Sequence, residues 1–290
     1  MRDDFAIFIL TNGRPDNVVT LDLLDRAGYT GRTYLIIDDE DPTGPRYRER
    51  FGDRVLEFSK QEIAKTFDAY DNDPDRRTIV YARNATWELA RTVGVRYFLQ
   101  LDDDYTAFLH RRPGKRDGVL GYHGWSIRNL DRVLEAMVEF VATTPAATLC
   151  MSQGGDHMGG GAAGIARPVW LWRKAMNSFV CDVEKPFEFS GRINEDVNTY
   201  VGLGAVGRLF FTYTPLQLNQ LQSQQNDGGM TATYIDAGTY VKSMFTVIAN
   251  PSAVTVRTMG RNSRRLHHHI DWGAAVPKII RQEHQKEAAR

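Results

Sequence analysis

No apolar run in this chain approaches the ~18–20 residues that a bilayer-spanning helix needs, and no basic-then-apolar leader opens it. No membrane partner is therefore expected, and the cytoplasm is the expected compartment. Only two cysteines occur, Cys150 and Cys181, in apolar surroundings and without metal-ligand spacing. That excludes a disulfide framework and a thiolate metal site, and it fits a reducing compartment. Neither sign of charge is in excess: 36 Lys and Arg balance 36 Asp and Glu, which excludes a uniformly basic nucleic-acid binder. Glycine-rich stretches exist, but none ends in Gly-Lys-Ser or Gly-Lys-Thr, which excludes a phosphate P-loop. Repeats and clean linkers are absent as well. With 290 residues, 42% of them apolar and 25% charged, the expectation is one soluble domain, 1–290, with a sizeable core.

The most informative stretch is Phe98-Leu99-Gln100-Leu101-Asp102-Asp103-Asp104-Tyr105. Its apolar part, extended backwards by Tyr97 and Val95, suits a strand buried on both faces. The run stops on three consecutive carboxylates, which are costly in a core unless they find a partner. The simplest partner at the C-terminal end of a buried strand is a hard divalent cation, Mg²⁺ or Mn²⁺. In an extended chain Asp102 and Asp104 point to one side and Asp103 to the other, so an Asp-x-Asp clamp is available. A solvated acidic turn is the plain alternative for three adjacent Asp alone.

Phe5–Leu10 reads as a buried strand, ended by Thr11-Asn12-Gly13-Arg14-Pro15-Asp16-Asn17 and followed by a helix over 18–27. Residues 33–37 form a second strand ending on Asp38-Asp39-Glu40-Asp41. Strand, helix and strand make a βαβ unit, hence a parallel sheet whose ligand crevice lies beyond the carboxyl ends of its strands. Both turns and the Asp triplet fall there. Val55–Phe58 is a short strand, 59–69 and 78–93 are helical, and 71–75 is a loop. Arg83, near the start of the second of these helices, is a candidate for phosphate or a nucleotide. Residues 109–116 read as a basic exposed loop, Leu130–Thr143 as an amphipathic helix and 147–151 as a buried strand. The glycine-rich stretch 153–164 suits close backbone approach to a ligand or a mobile lid. Its aromatics make 169–179 a core segment, and Glu195-Asp196 opens another helix. A strand is expected over 206–213, a polar loop over 216–229, and sheet or helix over 234–249. His267-His268-His269 lie in a basic C-terminal stretch, and one of them is a candidate to reach the metal.

A divalent metal at the end of a parallel sheet, with Arg83 nearby and no P-loop, points to a nucleotide diphosphate whose departure the metal assists. Glu195-Asp196 offers a carboxylate to deprotonate an attacking hydroxyl. Together these describe sugar transfer from a nucleotide sugar. In their order, the turn 11–17, Asp38-Asp39, Arg83-Asn84, Asp102-Asp103-Asp104, a glycine-rich loop and Glu195-Asp196 resemble the GT-A glycosyltransferases of the inverting, family-2-like kind. The resemblance covers residues 5–215. It implies an α/β GT-A fold, a Rossmann-like, mixed and mostly parallel sheet flanked by helices. A nucleotide-sugar half over 1–105 and an acceptor half with its C-terminal extension over 106–290 follow from it. It also implies a UDP-sugar donor held by Thr11, Asn12, Arg14, Asp38, Asp39, Arg83, Asp102, Asp103 and Gly155. Mn²⁺ or Mg²⁺ would be bound by Asp102 and Asp104, with His268 as a further ligand. Asp196 would be the catalytic base, with Glu195 behind it.

The C-terminal motifs narrow the resemblance. Thr239-Tyr240-Val241-Lys242-Ser243-Met244-Phe245-Thr246-Val247, Asn250-Pro251-Ser252, Arg265-Leu266-His267-His268 and Ala275-Val276-Pro277-Lys278-Ile279-Ile280 resemble the phage glycosyltransferases associated with TET/JBP-type oxygenases. That implies 5-hydroxymethylpyrimidine in DNA as the acceptor, 5-hydroxymethylcytosine first, and action in the host-cell cytoplasm. Because the chain has no net positive charge, Arg111, Arg112, Arg264 and Arg265 are the residues expected to meet DNA phosphates. The target base would be flipped, or approached through the major groove. Three alternatives stand beside this reading: a protein or glycan acceptor, a non-catalytic nucleotide-sugar-binding protein, and a retaining enzyme whose metal site a C-terminal His completes.

Overall fold

The computed structural model describes residues 1–116, 118–154, 168–220, 231–259 and 265–278, the side chains of 116, 119–121, 231–239, 259 and 265 excepted. In chain order the sheet strands are β1 (Phe5–Leu10), β2 (Arg32–Asp38), β3 (Val55–Phe58), β4 (Tyr97–Asp102), β5 (Tyr105–Arg116) and β6 (Val119–Ser126). They continue with β7 (Ala146–Gln153), β8 (Val169–Trp170), β9 (Ser178–Asp182) and β10 (Leu209–Gln220). These form one sheet in the order β3-β2-β1-β4-β9-β7-β10-β5-β6, with β8 paired to β10. On that path only β9 and β5 run against the rest, so the sheet is mixed and mostly parallel, as expected.

The central strands are buried on both faces because they are apolar at every position. Along β1, Ala6, Phe8 and Leu10 enter one core while Phe5, Ile7 and Ile9 enter the other. Helices α1 (Val19–Arg26), α2 (Gly44–Phe51) and α5 (Leu130–Thr143) cover the second core, and α4 (Val80–Thr92) and α6 (Glu195–Ala205) cover the first; α3 (Lys60–Ile63) is a single turn. In α5, Asn129 caps the N-terminus by accepting from Arg132 N at 3.4 Å, and Leu130, Leu134, Met137, Val138 and Val141 are buried as one stripe. Trp87 of α4 meets Phe98 edge-on at 5.0 Å, and Phe98 stacks on Phe8 at 5.3 Å. Helix α7 (Thr231–Ala249), the hairpin of β11 (Val254–Met259) and β12 (Arg265–Ile270), and the short α8 (Trp272–Ala275) follow. Tyr200 of α6 stacks on Trp272 of α8 at 5.9 Å. Among the described residues no helix is long and apolar enough to cross a membrane.

Four expectations are corrected. Residues 109–116 are not a loop but most of β5, paired with β6 at the sheet edge. Charge and Pro113 are tolerated there because an edge strand leaves half its hydrogen-bonding groups to solvent. The helix expected over 59–69 shrinks to Lys60–Ile63. Residues 169–179 are not uniformly core, since Val169 is 41% and Trp172 is 52% exposed. The polar loop expected from 216 begins as β10, which continues to Gln220; residues 221–230 lie outside the described ones. The open choice over 234–249 resolves to helix. A cavity of about 580 Å³ lies between α1 and α2, lined by Val18, Leu21, Tyr34, Phe51 and flanking Asp and Arg side chains, and holds none of the acidic triplet.

Candidate active site

The acidic triplet sits where β4 ends and the chain turns into β5. Asp102 closes β4, and Asp103 and Asp104 form the turn rather than continuing the strand. Thr20 of α1 pins this turn: its Oγ1 donates to Asp102 O at 2.7 Å and its N–H to Asp103 O at 3.1 Å, while Tyr105 N donates to Thr20 Oγ1 at 3.0 Å. Sequence reasoning missed Thr20, because a buried threonine in a helix carries no signal of its own.

The donor-side candidates from the first two turns are brought together. Thr11 Oγ1 donates to Asp103 Oδ2 at 2.7 Å, and Arg14 Nη1 to Asp103 Oδ1 at 3.0 Å. Asn12 Nδ2 donates to Asp38 Oδ2 at 3.0 Å, and Lys60 Nζ lies 3.0 Å from Asp38 Oδ1. Asp39, exposed beyond β2, accepts from Lys60 N at 2.9 Å. Three unforeseen residues complete this network. Asp41 accepts from Gly13 N at 2.8 Å, Tyr47 Oη lies 2.7 Å from Thr11 Oγ1 and accepts from Arg14 N at 2.9 Å, and Lys60 is almost wholly buried. Gly13 has φ of +72°, the left-handed region that favours glycine, which lets the turn deliver its N–H to Asp41.

Arg83 is turned inward. Its side chain is 1% exposed; Nε donates to Glu195 Oε1 at 2.9 Å, and Nη2 to Asp102 Oδ1 at 3.2 Å and Asn177 Oδ1 at 3.3 Å. The guanidinium also lies over the rings of Phe179 (5.3 Å) and Phe189 (5.8 Å). Nη1 is buried with no hydrogen-bond partner among the described residues. Arg83, the candidate for phosphate or a nucleotide, ties Asp102 at the end of β4 to the helix that opens on Glu195-Asp196. Its neighbour Asn84 binds Phe189 backbone in both directions, at 2.8 and 2.9 Å.

Glu195 and Asp196 are both buried at the start of α6. Asn194 precedes them at φ +56°, ψ +41°, the left-handed conformation asparagine tolerates, and its Nδ2 donates to Lys242 O (2.7 Å) and Thr246 Oγ1 (3.0 Å) of α7. The loop ahead of it is clamped from outside. Arg192 Nε and Nη2 donate to Asp71 Oδ2 at 2.9 and 2.8 Å, Nη2 lies 3.0 Å from Asp73 Oδ2, and Gly191 N donates to Asp68 O at 2.8 Å. The acidic loop 71–75, read from sequence only as a loop, is therefore the counterpart of Arg192.

Burial and like charge set the electrostatics. Burial pushes the Asp102 carboxyl up to about 7, against the pull of Arg83 and with help from Asp104 and Glu195. Asp104 is raised to about 6 by burial and by Asp103. Asp196 is raised to about 6 by burial and by Glu195, with Arg83 and Lys174 opposing. His268, on β12, is 9% exposed; burial, then His267, Lys174 and Lys242, push it down to about 3, so it is neutral. Neither of its ring nitrogens has a hydrogen-bond partner among the described residues. Among the described residues no three His, Cys, Asp or Glu side chains are grouped to hold a metal ion, so His268 does not join Asp102 and Asp104 in a ready-made triad. β12 packs against α7, and the charges of Lys174 and Lys242 act on His268 there.

Of the residues expected at DNA, Arg111 is held internally: Nη1 donates to Gln217 Oε1 at 2.8 Å and Nη2 to Tyr122 O at 3.0 Å. Arg112, next along β5 and on its other face, is exposed with its guanidinium 4.7 Å over Trp125. Gly155 and Arg264 lie outside the described residues, as does the Arg265 side chain.

A family model described as TET-Associated Glycosyltransferase matches residues 5–229. The chain belongs to that family. As a TET-associated glycosyltransferase it is a sugar-transferring enzyme, and its mixed sheet flanked by helices is the class that the GT-A resemblance implies. No curated protein matches the chain. Among solved structures, it is similar to glucosyl-3-phosphoglycerate synthase from Mycobacterium tuberculosis in complex with Mn²⁺, uridine diphosphate and phosphoglyceric acid. The identity is 12% over 92% of this chain and 87% of that one, with a TM-score of 0.42. It is also similar to a structure described as a mycobacterial protein, at 12% identity over 92% and 84% of the two chains, with a TM-score of 0.43.

Proposed function

We propose that this protein transfers a sugar from a UDP-sugar to the hydroxymethyl group of a 5-hydroxymethylpyrimidine in DNA, 5-hydroxymethylcytosine first, with inversion and with Mn²⁺ or Mg²⁺. One observation carries the reading: Arg83 joins Asp102 of the acidic turn to Glu195, the neighbour of Asp196, inside a glycosyltransferase-family chain. The DNA acceptor is supported by the family's association with TET-type oxygenases, whose product class is hydroxymethylated pyrimidine. The cytoplasm, where DNA and nucleotide sugars meet, is the proposed compartment. The two halves share one sheet, which supports a single catalytic domain.

The donor set fits a hard cation. Asp104 Oδ1 is buried with no hydrogen-bond partner among the described residues, and Asp102 and Asp104 are acids held protonation-prone by burial and by their neighbours, a tension that a divalent ion relieves. Mg²⁺ and Mn²⁺ sites commonly use one or two carboxylates and complete the shell with phosphate and water. When bound, the cation supplies Lewis-acid stabilisation of the leaving diphosphate.

The chain's own residues do the rest. Thr11, Asn12, Arg14, Asp38, Asp39 and Asp103 form the cradle proposed for the nucleoside end. Arg83 holds Asp102 toward its ionised form and fixes Glu195. Asp196, raised to about 6, is mostly ionised at neutral pH yet basic enough to take the proton of the acceptor hydroxyl. Asp196→Asn is expected to bind donor normally while turnover falls by roughly 10²–10⁴, the usual worth of a positioned base. Turnover equal to wild type would remove Asp196 from that role.

A further inference from the structure

The hairpin of β5 and β6 is longer than the sheet it belongs to. Strand β10 pairs with β5 only from Gln220↔Tyr105 to Leu216↔His110, whereas β6 stays paired to β5 as far as Val119↔Arg116. Beyond that point β8 occupies the edge of β10, at Thr212 and Tyr213. Residues 111–116 and their partners on β6 therefore leave the sheet as a two-stranded ribbon. Its root is locked by Arg111, whose guanidinium is bound to Gln217 of β10 and to the Tyr122 carbonyl.

The ribbon is also one-sided in charge. Residues 105–126 hold Arg111, Arg112, Lys115 and Arg116 against a single acid, Asp117, in a chain whose net charge is zero. The pairs His110↔Trp125 and Arg112↔His123 place these four residues on one face. There Arg112 lies over the Trp125 ring at 4.7 Å, and His123 meets that ring edge-on at 5.9 Å. Gly114 sits under the same ring: a Cβ there would come within 2.6 Å of it. Lys115, exposed, lies on the opposite face.

We propose that this ribbon is a docking arm for duplex DNA, seated in the major groove about one helical turn from the acceptor base, with Arg112 and Lys115 on the flanking phosphates. The proposal rests on the DNA-acceptor reading and adds the surface that grips the duplex. A two-stranded β-ribbon is of the size the major groove, about 12 Å wide, admits. A basic side chain on each face suits a ribbon lying between two rows of phosphates. Reach agrees too: at about 3.3 Å per residue along β5, Arg112 and Lys115 lie up to roughly 26 and 36 Å from Asp104, and one turn of B-DNA is about 34–36 Å. The arm therefore contacts the backbone remote from the reacting base. It raises affinity for long duplexes and leaves short acceptors indifferent to it.

The test uses the full chain and fluorescence anisotropy. Two duplexes, of about 30 and about 8 base pairs, each carry one central 5-hydroxymethylcytosine; only the longer reaches the arm. In the double variant Arg112→Gln/Lys115→Gln, affinity for the long duplex is expected to fall tenfold or more near physiological salt, and the slope of log affinity against log salt to shrink by about 1.8. The preference of wild type for long over short duplex should collapse with it. Arg112→Lys, which keeps the charge, should recover most of the slope, and Gly114→Ala, which displaces Trp125, should weaken long-duplex binding alone. An unchanged slope in the double variant would overturn the arm while the DNA acceptor stands. Equal losses on both duplexes would overturn its remoteness. Failure of wild type to bind either duplex would overturn the arm and the DNA reading together.

Discussion

Replacing Arg83 with methionine removes a guanidinium that is 1% exposed, while keeping an apolar side chain of similar reach against Phe179 and Phe189. Glu195, 2.9 Å from its Nε, and Asp102, 3.2 Å from its Nη2, are then left buried without their countercharge. Removing one partner of a buried ion pair destabilises by about 3–5 kcal/mol. At about 2 °C per kcal/mol for a large domain, the unfolding midpoint should drop by roughly 6–10 °C. The drop should depend on pH with a definite sign. Arg83 holds the Asp102 carboxyl down, so in its absence Asp102 rises above about 7 and protonates more readily. Protonation relieves the stranded charge, so the loss is smallest near pH 5.5 and largest near pH 8, and the acid limb of Mn²⁺-dependent donor binding moves to higher pH. Thermal unfolding followed by circular dichroism at the two pH values, with donor titrations across the same range, measures both effects. A midpoint equal to that of wild type at both pH values, with an unmoved acid limb, would refute the tie between the two carboxylates.

Other consequences follow from the same network. In the metal-free protein Asp102, Asp104 and Asp196 titrate above the ordinary carboxylate range, near 7, 6 and 6. The native state then binds more protons than the unfolded chain between about pH 4 and 7, and these groups make stability fall as pH rises through that window. Asp104→Asn should flatten this fall and abolish Mn²⁺-dependent donor binding; a slope as steep as wild type's, or intact binding, would contradict the metal turn. Arg192 fixes the loop ahead of Asp196 through Asp71 and Asp73, so Arg192→Ala should lower kcat by roughly 10–10²-fold with donor affinity retained. A loss confined to donor affinity would place Arg192 at the donor instead.

Legibility in the sequence followed chemistry that is local. Strands β1, β3 and β4 and helix α5 could be read within a residue or two because an unbroken apolar run, or a stripe at helical spacing, leaves one way to bury itself. The acids at the ends of β2 and β4 stood out for the same reason: carboxylates that terminate a buried run need a partner. What could not be read depended on distant chain. The hairpin of β5 and β6 looked like a loop because four basic residues, Pro113 and Gly114 mask the alternation, and only its edge position makes such a strand stable. The inward turn of Arg83 could not be read because nothing near it in sequence shows that Glu195, 112 residues later, and Asn177 meet it in the core. Tyr47, Lys60 and Arg192 escaped notice likewise, each bonded to chain far from it in sequence.

The central claim is tested most directly by incubating the protein with Mn²⁺, a panel of UDP-sugars, and DNA containing 5-hydroxymethylcytosine or 5-hydroxymethyluracil, then weighing the digested nucleosides by mass spectrometry. The expected result is a gain of one sugar on the hydroxymethylated nucleoside, dependent on the metal and lost in Asp196→Asn. Slow release of UDP into water with no gain on either nucleoside would contradict the DNA acceptor and leave only a donor-binding glycosyltransferase.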